Sequence, residues 1–186
     1  MGRLVQFGAA VGALACLISV SGGATSYPIA LIARANFTGG ETTITSTLTI
    51  TVERLMNPDD RAFVLDGLKY RGYQGFMDAL RQRPVVGQVG NKSGHVDLRY
   101  AWETKTDSRR RLILVADKPF FFLARDTSKP RGGYELTVVD LQLDDRNTGS
   151  GTMAAAARVK RAPDGGPVLD DFATAPVQLT VEAAKQ

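Results

Sequence analysis

One histidine stands in this chain, His95, with Asp97 two residues after it and Ser93 two before. Side chains two apart on a strand share a face, so Asp97 could orient the imidazole while Ser93 supplies a hydroxyl, the outline of Ser-His-Asp hydrolysis. The neighbourhood argues against it. Ser93 lies in the glycine-bounded turn Gly90–Gly94, and no strained nucleophile turn surrounds it. A solvated strand face is the simpler account of His95. Carboxylates pair at Asp59/Asp60, Asp144/Asp145 and Asp170/Asp171. The first pair belongs to a helix start. The second opens a run that superficially matches a calcium loop, but the sixth and twelfth places hold Gly149 and Ala155, so the closing Glu is missing and a turn is preferred. The third could join acid–base glycoside chemistry only with a partner at a set separation, which sequence does not supply. No catalytic residue, metal ligand or cofactor motif is assigned.

Two features point to binding. Arg109, Arg110 and Arg111 head a stretch, 105–131, with eight basic and three acidic residues. A basic surface there suits anionic lipid headgroups or envelope polymers, and equally suits a sheet edge guarded against association. The second feature is Phe120-Phe121-Phe122-Leu123 after Pro119. Consecutive rings on a strand point to opposite sides, so either both faces are covered or Phe121 lines a cavity mouth or contact surface. With Tyr100 and Trp102 upstream, the ligand-binding residues expected are Tyr100, Trp102, Phe120, Phe121 and Phe122.

The chain has 186 residues, a net charge of +4, 44% hydrophobic and 23% charged residues, as expected for one globular domain. Its N-terminus reads as an export signal over residues 1–24. Arg3 precedes an uncharged apolar run, Leu4–Val20, and Gly22 and Ala24 suit the cleavage subsites. A retained membrane helix and a lipobox at Cys16 are the competing readings. Ala33-Arg34-Ala35 offers a second cleavage point. Processing after Ala24 leaves a protein without cysteine, hence without disulfides or a thiol nucleophile. Periplasmic or secreted localisation follows, and export together with the lack of interleaved stacking aromatics argues against nucleic acid.

The elements that must position these residues read as follows. Residues 25–43 form a linker or leader, and residues 44–183 one α+β domain. Ile44–Val52 alternates strictly, with threonines on one face, and predicts a strand. Asn57-Pro58-Asp59-Asp60 predicts a capped helix, Gly72 ends it, and a second helix runs to Gln82. Beyond Pro84, strands separated by turns every 8–15 residues predict antiparallel hairpins, including Val85–Val89, His95–Thr104, Arg111–Ala116, Phe120–Leu123 and Tyr134–Leu143. On the second of these Val96, Leu98, Tyr100 and Trp102 share one face; further on, Met153, Ala155, Ala157 and Val159 point inward. The expected fold is α+β: a curved antiparallel meander sheet, of a length that curls toward a barrel or half-barrel, with a helical hairpin after the first strand.

Thr47–Val52, Phe76–Leu80, Val86-Gly87 and Asp97–Ala101, with Ile113–Pro119 and Thr174–Leu179, make the chain resemble an uncharacterised family of exported bacterial single-domain proteins across about residues 44–183. The resemblance implies a secreted domain of unknown function and lends no catalytic residue. The function expected is non-enzymatic binding of an apolar or amphipathic ligand, without cofactor, inside the curved sheet under a helical lid. An envelope interaction module with peripheral membrane contact, and a carboxylate/His hydrolase, are the alternatives.

Overall fold

The structure, a computed structural model, describes residues 26–39, 42–106, 109–121 and 132–183. The export signal over 1–24, Cys16 and Phe122 lie outside the described residues. The linker expected over 25–43 instead contains a strand, β1 (Ile29–Gly39), paired along its whole length with β2 (Thr42–Val52). Ile29, Leu31, Ala33 and Ala35 face inward on β1. The pattern hides from sequence because Ala30 and Ile32 occupy the outer face, where polar residues would have revealed a period of two. The second cleavage point, after Ala35, falls within this strand. Leu48, Ile50 and Val52 are fully buried on β2, and Thr47 and Thr49 on its other face are exposed.

Helix α1 (Pro58–Arg81) starts as its sequence dictates. The Asn57 side chain accepts a hydrogen bond from the Asp60 N–H at 2.8 Å, Pro58 takes the first turn, and Asp59 and Asp60 face the positive end of the helix dipole. In place of the expected helical hairpin the chain has this one element, whose two helical runs meet at a sharp kink at Gly72, a residue with a non-helical backbone (φ 63°, ψ −152°). The bend brings Gly67 and Gly75 together so closely that a Cβ on Gly67 would lie 2.4 Å from the Gly75 carbonyl oxygen. Only residues without side chains permit that crossing.

Seven further strands follow: β3 (Gly87–Asn91), β4 (Gly94–Thr106), β5 (Arg109–Ala116), β6 (Leu136–Leu143), β7 (Gly149–Arg161), β8 (Pro167–Phe172) and β9 (Val177–Ala183). All pairings are antiparallel, in the order β6-β5-β4-β3-β2-β1-β9-β7, and β7 pairs back to β6. The eight strands therefore form a closed barrel. β8 is an extra strand on the end of β7 beyond β9, pairing with Ala157–Arg161. The expected meander with a helical hairpin after the first strand is thus overturned twice: the sheet closes, and one kinked helix follows the second strand. Phe120 and Phe121, expected in a strand, lie outside any.

Two apolar layers result. Leu31, Ile50, Leu98, Leu112, Leu114 and Leu141, among others, fill the barrel interior at 0% exposure. A second layer lies between α1 and the outside of the barrel wall, with Phe76 and Leu80 of the helix against Tyr100, Val115, Val138 and Ala157. A β-bulge decides who joins which. Leu98 pairs with Ala116 and Tyr100 with Val115, so Arg99 is an extra residue on β4. Leu98 then faces the lumen, while Tyr100 and Trp102 turn to the outer wall, correcting the expectation that all of them share one face. An irregularity at Ala155 and Ala156 similarly leaves Met153 in the lumen and turns Ala157 and Val159 outward.

Candidate functional site

The rings expected to form one ligand site are divided by this architecture. Tyr100 is fully buried beneath α1 on the outer wall, and Trp102 is half-buried on the same face. Phe120 belongs to the lumen layer instead, held by its N–H to the Ala155 carbonyl at 3.0 Å, and Phe121 is half-buried next to it. Side chains at 0% exposure border no space large enough for water, so the lumen they line is a packed core.

The arginine triplet is likewise not one basic surface, because neighbours on a strand point in opposite directions. Arg109 is exposed. Arg110 points into the barrel at 3% exposure, where its Nη1 meets Glu103 Oε2 at 2.5 Å and its Nη2 reaches Asn147 Oδ1. The Tyr27 hydroxyl donates to the same Glu103 oxygen at 2.9 Å. Arg111 points outward and grips both oxygens of Asp140, with Nε and Nη2 at 3.0 and 2.6 Å.

His95 is exposed and, with Asp97, Arg99, Asp117 and Lys118, lines a polar pocket of about 210 Å³. It makes no hydrogen bond to a carboxylate or hydroxyl among the described residues. Asp97 accepts instead from Gln88, Ser93 donates its N–H to Asn91, and Arg99 pairs with Asp117 at 3.1 Å. The elements of the hydrolase reading are present without being assembled. Asp144 is a turn residue: its carboxylate accepts from the Thr148 hydroxyl and N–H and from the Arg146 N–H. Those bonds, the Thr148 hydroxyl first, hold its pKa below the usual carboxylate value. Asp170 pairs with Lys160 at 3.2 Å. No cluster able to hold a metal occurs among the described residues.

What the outer wall does assemble is a cleft of about 50 Å³. Ile113, Val138 and Ala154 form its floor, and Pro167, Val168 and Leu169 of β8 form one side. Thr152 and the Arg111–Asp140 ion pair line it as well. Strand register places Trp102 opposite Ile113, directly beside this cleft. The Arg61 guanidinium, from the second turn of α1, lies 4.3 Å from the centre of the Trp102 ring. The Arg61 guanidinium lies against the buried Tyr100 hydroxyl and favours its ionised form, while burial, the larger effect, raises the tyrosine's pKa; Arg61 Nε makes no hydrogen bond among the described residues. Sequence reasoning found Tyr100 and Trp102 and missed Arg61, because nothing in a helix start says which strand the helix will meet.

Two tyrosines tie distant segments to the barrel. The Tyr73 hydroxyl donates to Glu135 Oε2 at 2.6 Å and accepts from the Glu135 N–H, fastening α1 to the segment before β6. Burial first, then the Glu135 carboxylate, pushes its pKa well above 10, and Tyr27 is raised by burial and Glu103 in the same way. A tyrosine whose pKa is raised by folding contributes stability that is complete below pH 10 and lost as pH climbs toward its folded-state value. Urea midpoints measured from pH 9 to 12 should therefore fall with pH, and fall less steeply in Tyr73→Phe. Equal slopes would show that this tyrosine does not titrate differently in the two states.

Set against known protein families, curated proteins and solved structures, the chain matches none, so these comparisons do not bear on the resemblance seen across residues 44–183.

Proposed function

We propose that this chain is a non-enzymatic binding domain, exported by its N-terminal segment, which holds an apolar or amphipathic group in the cleft on the outer wall of its barrel. The observation that carries the reading is the composition of that cleft: an apolar floor and side of Ile113, Val138, Ala154 and Leu169, a bidentate ion pair along it, and a half-buried tryptophan alongside. Apolar floors with a few placed polar groups are what small-molecule sites use. A space of about 50 Å³ takes the end of an alkyl chain rather than a whole lipid. Burial at about 25 cal/mol per Å², less ordering costs, makes such binding modest unless a polar group adds to it.

Trp102 is the only tryptophan and serves as its own reporter. Titration with n-octanol is expected to change its emission saturably. Leu169→Arg should abolish the change by filling the cleft with charge, and His95→Ala should leave it intact. An unsaturable or absent response in the wild type would overturn the outer-wall reading.

A further inference from the structure

Six arginines among the described residues are buried or half-buried: Arg61, Arg83, Arg99, Arg110, Arg111 and Arg158. Five of them face a carboxylate, namely Asp60, Asp117, Glu103, Asp140 and Asp170 in that order. Arg61 faces none. Its guanidinium is stacked on Trp102 and lies against the hydroxyl of Tyr100, a side chain with 0% exposure. An unpaired buried donor is costly, and an unpaired, partly desolvated cation more so. A cation held in this way is a ready-made partner for an anion that the protein itself does not supply.

We infer that Arg61 forms an anion subsite that receives the carboxylate headgroup of an amphiphile, while its alkyl chain lies on Ile113, Val138 and Leu169. The inference rests on the outer-wall cleft proposed above and adds the chemistry of the headgroup. Three observations support the pairing. The subsite and the cleft adjoin through the Trp102–Ile113 register pair. A guanidinium offers a planar fork that matches a carboxylate. The stacked indole keeps the arginine side chain in place and shields one of its faces from water. Asp164, an exposed residue of the β7–β8 turn that accepts from the Gly166 N–H, is the acidic group whose field reaches Tyr100. Its charge opposes a bound anion, so it sets an upper limit on affinity.

The test compares n-octanoate, n-octanol and n-octylammonium, equal in chain length and all monomeric at the concentrations used, by calorimetry at pH 7.5 with Trp102 emission alongside. Octanoate is expected to bind about tenfold or more tightly than octanol, and octylammonium no better than octanol. Arg61→Gln should erase the preference for octanoate and spare octanol, and Arg61→Lys should keep part of it. Asp164→Asn should tighten octanoate. Circular dichroism of each variant confirms that it remains folded. If octanol binds and octanoate binds no better, the cleft stands and the anion subsite is refuted. If neither binds, the outer-wall reading falls and takes the subsite with it.

Discussion

Arg110→Ala is expected to be among the most damaging single substitutions in the barrel, costing about 3–5 kcal/mol of stability. The loss comes from what remains behind. Glu103 and Arg110 are both nearly sealed from solvent, their side chains at 7% and 3% exposure, and without the arginine the carboxylate keeps only the Tyr27 hydroxyl as a described donor. A charge in that position loses its water without a compensating cation. The β6–β7 turn also loses its tie, since Arg110 Nη2 bonds Asn147, a residue at φ 62° in that turn. Stability is lost because half a pair is stranded, so removing both charges should behave differently. Glu103→Leu with Arg110→Met is expected to recover most of the deficit, as apolar replacement of buried ion pairs commonly does. Urea denaturation of the two single variants and the double variant at neutral pH measures the coupling directly. Single variants that each cost under about 1 kcal/mol would mean that water reaches this end of the barrel and solvates the pair.

How far such arrangements were legible in sequence depended on how local their causes are. The alternation of Leu48, Ile50 and Val52 and the cap at Asn57-Pro58 are local, and both appear as read. Parity also held a clue that the arginine triplet obscured: Arg110 shares a face with Leu112 and Leu114, all buried, which places it inside while Arg109 and Arg111 point away. Gly72 was legible as the interruption between two helical runs, but the sharpness of the kink there was not, because it depends on the close approach of Gly67 to Gly75. Barrel closure was not legible. It rests on β9 meeting β1 and β7 meeting β6, pairings between segments whose own patterns carry no mark of their partner. The candidate site suffered most from the extra residue Arg99. A bulge has no sequence signature, yet it moves Tyr100 and Trp102 from the face shared with Leu98 to the opposite one, and so from a supposed lumen to the outer wall.

The separation of the two apolar layers leads to the other large effect, at Phe76. This ring is fully buried between α1 and the outer wall, in the layer that also holds Val64, Leu68 and Leu80 from the helix and Tyr100, Ile113 and Val138 from the barrel. Phe76→Ala should cost about 3–5 kcal/mol, the transfer of the ring plus the cavity it leaves. The barrel interior does not share this layer, so the loss should fall on the docking of α1 and not on the strands. Native-state hydrogen exchange should show it: amides of α1 lose protection in the variant through partial opening, while those of β1, β2 and β9 keep theirs up to the global unfolding limit. Binding follows the helix. Arg61 rides on α1 and reaches Trp102 only while the helix is docked, whereas Ile113 and Leu169 are fixed to strands. Under conditions where α1 is partly undocked, octanoate should lose its advantage over octanol by the fraction of undocked molecules. Uniform loss of protection across helix and strands would mean that the two layers unfold as one unit and that the helix cannot act as a separable carrier of the headgroup contact.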